Sequence, residues 1–509
     1  MKTKTKQLMA AVAFAMCEAV CSLTALGGGE SASGWTVVYG NLNGCEARAV
    51  ELLTGELGDL LLREPGVYAA HVLPCRKAED VQGLRGNLFI VGTPGSNAAL
   101  SAYLHEEDVP EGGYLVKTVE EADRDVVILC GATPAAAIWA VADFCSDGIA
   151  ALRPLRGGDG IFLYRDVFGG KRRLLRRFDG KPIAPYVSRR QPKTDVRSFF
   201  TWGHPIDDYR EYVRNLARLK MNRVYFWNDY PPLNAREVVD YAHSWGVEVF
   251  WGFPWGWDTS CGDQAKLDLA DIERRTLEDW RRNWRDLPGD GIYFQTFTET
   301  AAAKVAGETV ASRAIRLVNA VAAKMFEEKP SQKIVFGLHA QSVRGELGTV
   351  ARTDPRLEIL WENTGGFPYS TAVRGDEGKD AAFNRTILAD ERHAVGVVWK
   401  CQLMQDWSNW THQEGPYLMG VTSRRTYDAD RLIQDGLWRD YGPLWVSHIE
   451  EARAAALLAQ SIGRKVEMNA AAQINGPIRF PTAVMAEFFW DATEPADRTL
   501  GRVLARRRE

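Results

Sequence analysis

Several carboxylates follow strand-like runs, and their surroundings suit them to acid–base work. Glu299 closes Gly291-Ile-Tyr-Phe-Gln-Thr-Phe-Thr-Glu299. The β-formers in that run, Ile292, Tyr293, Phe294 and Phe297, should hold it on a rigid wall. A carboxyl among apolar neighbours keeps its proton more readily, and can then hand it to a leaving oxygen. Cleavage of a glycosidic bond needs such a donor and a second carboxylate, which serves water or the sugar itself. Glu362, in Leu360-Trp-Glu362-Asn-Thr-Gly-Gly, is the first candidate for the second carboxylate. Asp406, in Gln405-Asp406-Trp407, is next, and Glu414 and Asp229 follow. The bland alternative for Glu299 is a rim carboxylate or helix cap. For the others it is a hydrogen-bonded structural role.

Elements able to position these groups are legible from Val196 onward. Strand-like runs are expected at Val196–Trp202, Arg223–Trp227, Glu248–Phe253, Gly291–Phe297, Lys333–Leu338, Leu357–Trp361 and Gly396–Cys401. Amphipathic helical patterns fill most gaps, clearest at Asp207–Leu219, Leu267–Trp284 and Thr309–Phe326. This alternation, without a dinucleotide or phosphate glycine motif, predicts an α/β (β/α)8 TIM barrel over 196–440. The eighth strand lies near Pro416–Gly420 or near Val466–Gln473, and the remaining tail, 441–509, is helical.

In such a barrel the site lies where the strands end. The strand ends supply Arg197, Trp227, Asn228, Trp255, Trp257, Gln295, His339, Trp361, Trp399 and Lys400 as candidate substrate contacts. Of 17 Trp, the nine at or just past these ends are Trp202, Trp227, Trp251, Trp255, Trp257, Trp361, Trp399, Trp407 and Trp410. Indole offers an apolar face and one N–H donor, and sugars offer C–H faces and hydroxyls, so a carbohydrate ligand is expected. The alternative is that some of these rings plug the barrel ends, as expected for Trp251. Arg197 is either a clamp on substrate oxygens or a buried group at the barrel's start. The eight His show no HExxH-type spacing, so neither a catalytic metal nor another cofactor is expected.

The composition, 46% hydrophobic and 25% charged, argues against disorder. The 509 residues carry a formal net charge of −4, which gives no global reason to bind nucleic acid. The basic stretch 166–195, with Lys171-Arg172-Arg173 and Arg189-Arg190, reads as a solvated linker. Before it, 35–165 reads as a small α/β domain. Its expected strands are at Thr36–Tyr39, Asn87–Gly92, Gly113–Val119 and Asp125–Gly131. Helices are expected at Glu46–Leu62 and from Pro134 to Phe144. Residues 1–34 follow the basic, apolar, small order of a secretory signal, which predicts a secreted or periplasmic protein without a stable membrane span. The widely spaced Cys read as core residues, with one bridge in the first domain as the alternative. The sequence leaves the oligomeric state open.

The first block resembles the N-terminal domain shared by bacterial β-hexosaminidases and α-glucuronidases. The likeness rests on Leu88-Phe-Ile-Val-Gly92, Gly112-Gly-Tyr-Leu-Val116 and Val127-Ile-Leu-Cys-Gly-Ala-Thr-Pro134. Val196-Arg-Ser-Phe-Phe200 and Leu216-Ala-Arg-Leu-Lys-Met-Asn-Arg-Val-Tyr-Phe-Trp-Asn228 are similar to the barrel entry of the same families. The resemblance implies an exported glycoside hydrolase with a TIM-barrel catalytic domain. In the hexosaminidase family adjacent carboxylates follow strand four, and the substrate's acetamido group is the nucleophile. Here Thr298 precedes Glu299, which counts against that mechanism. The α-glucuronidase family uses one glutamate after strand four as acid. The resemblance therefore implies Glu299 as acid, Glu362 and Asp406 as the later carboxylates, and Arg197 with Lys400 as receivers of a uronate. A hexosaminidase-like glycosidase and a barrel that binds sugar without cleaving it stand as alternatives.

Overall fold

The computed structural model describes residues 35–58, 75–80, 86–148, 163–165, 171–173, 185–201, 206–227, 230–256, 267–370, 376–401, 416–420, 432, 436, 439, 442–463, 465–472, 474, 476 and 478–506. The chain divides into two compact units, Met1–Gln191 and Pro192–Glu509.

In the first unit the strands are β1 (Trp35–Tyr39), β2 (Cys75–Lys77), β3 (Asn87–Gly92), β4 (Tyr114–Glu120), β5 (Asp125–Gly131), β6 (Leu163–Arg165), β7 (Lys171–Arg173) and β8 (Val187–Arg190). They form a six-stranded sheet in the order β2-β1-β3-β5-β4-β8 and a separate β6-β7 pair. The run Val126–Cys130 is buried throughout, as a central strand covered on both faces requires. Helices Gly44–Gly58 and Pro134–Ser146 belong to this unit; Thr133 caps the second, accepting from the Ala136 N–H. The stretch expected as a linker is corrected in part: Val187–Arg190 pairs antiparallel with β4. Its exposed and half-exposed side chains suit a charged sheet edge, a pattern that reads as loop in a sequence. Cys45, Cys75, Cys130 and Cys145 form no disulfide with one another, so the alternative of a bridge among them is not realised.

The second unit is a closed parallel barrel. Its strands are β9 (Arg197–Phe200), β10 (Arg223–Trp227), β11 (Glu248–Pro254), β12 (Gly291–Gln295), then, after a short β13–β14 hairpin (Lys304–Val305, Glu308–Thr309), β15 (Ile334–His339), β16 (Glu358–Glu362), β17 (Val395–Trp399) and β18 (Glu467–Ala471). The eighth strand is therefore the later of the two sequence candidates; β18 pairs with β17 and with β9 to close the ring. Asp208, Asp268 and Asp376 cap the helices that follow β9, β11 and β16. Each such cap stabilises its helix by about 1 kcal/mol.

The barrel interior is one buried cluster of Phe200, Tyr225, Trp227, Phe250, Tyr293, Val335, Leu360, Val398 and Ala471. Successive strand residues alternate between faces, so these side chains fix which of their neighbours also point inward. Large rings fit because glycines face them: a Cβ on Gly337 would overlap the Tyr293 hydroxyl. Among the described residues no helix is long and apolar enough to cross a membrane.

Candidate active site

Five chemically active side chains meet where β12, β15, β16 and β17 end. Tyr293 and Gln295 share one face of β12, two residues apart, and His339, Glu362 and Lys400 take the corresponding places at the neighbouring strand ends. His339 is directly opposite Glu362 in the strand register. All of these except Lys400, which is 5% exposed, are fully buried.

Glu362 is the hub. Its Oε1 accepts hydrogen bonds from the Tyr293 hydroxyl and the Gln295 amide. Its Oε2 lies 2.8 Å from Lys400 Nζ. Burial alone would push the Glu362 carboxyl up. The Lys400 ammonium, then the His339 ring when it carries charge, and the Tyr293 hydrogen bond together outweigh burial and bring it down, to about 2 with all of them acting. Glu362 is thus an anion at any ordinary pH.

His339 lies between two carboxylates. Its Nε2 is 3.4 Å from Glu362 Oε2 and 3.6 Å from Glu299 Oε2. Both are longer than a formed hydrogen bond. Burial lowers the His339 pKa below its usual value, so the ring is neutral at physiological pH. The two distances bound the separation of the Glu299 and Glu362 oxygens at about 7 Å. Glu299 keeps 33% of its side chain exposed, the most open of the group. Thr298, beside it, is fully buried; its carbonyl accepts from Ser342 Oγ at 2.7 Å and its hydroxyl from the His339 N–H at 3.4 Å. Those bonds tie the chain before Glu299 to the end of β15. The next residue after Glu362, Asn363, has φ +53°, a left-handed conformation that Asn tolerates better than most, and its amide bonds to Gln341 at 3.1 Å.

Four expected contacts are corrected. Arg197 begins β9, at the opposite end of the barrel from the mouth, and its guanidinium donates to the carbonyls of Lys220 and Thr194. Trp255 is buried with its ring stacked on Phe294, 3.5 Å between centroids. Trp361 meets Phe383 of the helix Glu377–Leu388 edge-on at 5.9 Å. Trp399 packs on Phe489 and Trp445, at 4.9 and 6.3 Å. The reason is the period of a strand. Trp361 stands between inward Leu360 and Glu362, and Trp399 between inward Val398 and Lys400, so both must face the helices. Trp227 does point inward, edge-on to Phe200 and Tyr293 at 6.1 and 6.0 Å. Gln295, His339 and Lys400 join the site, but Lys400 is engaged with Glu362. Asp406, Asn228 and Trp257, with Trp202, Asp229, Trp407, Trp410 and Glu414, lie outside the described residues.

The residue missed from sequence is Tyr293. Its signal was present: it is two positions before Gln295 and so shares its inward face. The second omission is a charge network at the other end of the barrel, built on Arg223 and Glu467.

No protein-family model matches the sequence, and no curated protein matches it. Among solved structures, the chain is similar to a GH138 enzyme targeting pectin rhamnogalacturonan II, at 9% identity and a TM-score of 0.45, over 90% of this chain and 51% of that one. It is also similar to a family 89 glycoside hydrolase from Clostridium perfringens, at 10% identity and a TM-score of 0.44, over 91% of this chain and 51% of that one. The chain spans about half the length of each of these two.

Proposed function

We propose that the protein is a glycoside hydrolase in which Glu299 is the general acid and Glu362 the permanently ionised partner. The observation that carries this reading is the pairing of opposites at one strand-end cluster. One carboxylate is sealed and held as an anion by Lys400, and a second, partly exposed, lies across a neutral imidazole from it. Departure of a sugar's leaving group needs a proton on the oxygen and negative charge near the developing oxocarbenium ion. A partly exposed carboxyl can exchange its proton with solvent and give it to the leaving oxygen. A fixed anion stabilises the positive charge without having to reorganise. A separation of at most about 7 Å admits both the ~5–5.5 Å of retaining enzymes and the near end of the ~6.5–9.5 Å of inverting ones.

The finer specificity is also a proposal. An α-glucuronidase-like activity is supported by Glu299 and Glu362 at strand ends like those of that family. It loses support from its two expected uronate receivers, because Arg197 is at the far end and Lys400 is paired with Glu362. A hexosaminidase-like activity is disfavoured by the buried Thr298 beside Glu299. Export through residues 1–34 belongs to the same proposal. The complete burial of Glu362 favours one second reading, a barrel that binds sugar without cleaving it.

Aryl glycosides of glucuronic acid, N-acetylglucosamine and neutral hexoses, incubated with the purified protein, test these readings together. Release of the aryl group from one series is the expected result and names the sugar. Saturable oligosaccharide binding with no product from any series would support the second reading and overturn the first.

A further inference from the structure

His339 has no obvious structural reason to be a histidine. Its ring is completely buried, and neither ring nitrogen makes a hydrogen bond. A buried polar group without a partner costs on the order of 1–3 kcal/mol, and a leucine would fill such a place without that cost. Nε2 lies at nearly equal distances from Glu299 Oε2 and Glu362 Oε2, 3.6 and 3.4 Å. The backbone holds it there: β15 pairs with β16 so that His339 stands opposite Glu362, and its N–H reaches Thr298 Oγ1, one residue before Glu299.

We infer that His339 is a positioning residue whose single Nε2–H is shared between the two carboxylates and changes partner during the reaction. This rests on the glycoside hydrolase reading. Before proton transfer Glu362 is the only anion of the pair, and the N–H leans toward it. When Glu299 gives its proton to the glycosidic oxygen, the C–O bond breaks with its electron pair going to that oxygen. Glu299 is left as a carboxylate, and the N–H turns to it. The imidazole keeps its own proton throughout and stays neutral, so the step needs no further acid or base. Contacts of this kind are often long before substrate binds and shorten in the complex. Lys400 and Tyr293, which face Glu362 from β17 and β12, keep that carboxylate charged while the N–H is away.

The role predicts a dependence on the leaving group. The substrates are the methyl and 2,4-dinitrophenyl glycosides of whichever sugar the wild type turns over fastest. The first needs protonation to leave and the second does not. His339→Leu should lower kcat on the methyl glycoside by about 100-fold, within the usual range for loss of acid assistance, and on the dinitrophenyl glycoside by only a few fold. His339→Gln, which keeps an N–H donor, should recover part of the loss. Equal losses on both substrates, or no loss on the methyl glycoside, would overturn the inference. Glu299→Gln is measured alongside. If Glu299→Gln leaves the methyl glycoside unaffected, the reading of the whole site fails. If it is crippled while His339→Leu shows no leaving-group preference, only the role of His339 fails.

Discussion

The two ends of the barrel each carry a charged network around a buried carboxylate, and they are built on opposite principles. At the N-terminal end of the strands, one buried cation reaches three carboxylates, the outermost of which, Glu248, also meets Lys333 at 3.2 Å. Arg223 reaches Glu248 and Glu358 at 2.9 Å and Glu467 at 3.0 Å. Glu467 also accepts from Tyr225 and Ser198, and Asn469 donates to Ser198 at 2.8 Å. At the C-terminal end one carboxylate is served by several donors, and beside it stand an unbonded imidazole and a partly exposed glutamate. Tyr225 and Tyr293 have their ring centroids only 5.2 Å apart, yet one hydroxyl serves Glu467 and the other Glu362. Their carboxyl partners shift in opposite directions. Burial, aided by the nearby Glu358, raises the Glu467 pKa against the pull of Arg223, whereas Lys400 brings Glu362 down to about 2. The lower network is closed on itself and holds the strands. The upper one holds an anion against Lys400 and leaves the His339 ring nitrogens without hydrogen bonds.

Removing the cation at either end gives the largest expected loss of stability. Arg223→Met leaves the buried Glu467 without its cation and should cost the ~3–5 kcal/mol typical of a broken buried pair. Lys400→Met should fall within that range. Urea denaturation monitored by tryptophan fluorescence checks both. A Lys400 variant hurt more than the Arg223 variant would reverse the proposed division of labour.

The acid response of the two ends should differ in sign. Glu362 is depressed, so its contribution is present above the unfolded value of about 4.3 and is lost as pH falls toward about 2; it is worth on the order of 3 kcal/mol. Glu467 is raised, so its contribution is present below about 4.3 and is lost as pH rises through its folded value. Stability measured against pH should therefore flatten on the acid side in Glu362→Gln and on the side above about 4.3 in Glu467→Gln. The same change in both variants would contradict the contrast.

Smaller effects sharpen the comparison. Gly337→Ala should push the Tyr293 hydroxyl off Glu362, at about 1–3 kcal/mol of overpacking and with a clear fall in turnover. Tyr225→Phe removes a hydrogen bond at the closed end and should cost about 1 kcal/mol with turnover preserved. Thermal denaturation and an initial-rate assay on the same samples separate the two outcomes.

How much of this was legible in the sequence follows from what alternation reveals. Seven barrel strands could be read because each is a run of β-branched and aromatic residues between helical patterns. The eighth, Glu467-Met-Asn-Ala-Ala471, is not such a run, and that left its place open. The edge strand Val187–Arg190 was hidden for the same reason. Glu362, Gln295 and His339 were found from their strand ends. The tryptophans were misplaced because the ends were read without their two-residue period. Once Glu362 and Lys400 point inward, Trp361 and Trp399 cannot. Arg223 and Glu467 escaped notice because they start their strands, and only closure of the ring brings a residue of β10 beside one of β18.

The most direct test pits one buried glutamate against the other. Glu362→Gln and Glu467→Gln each replace one buried carboxyl, at opposite ends of the barrel. Turnover of the preferred aryl glycoside is measured for both after each is shown to be folded. The account predicts that Glu362→Gln loses several orders of magnitude and that Glu467→Gln stays within a few fold of wild type. Comparable turnover in the two variants would contradict it.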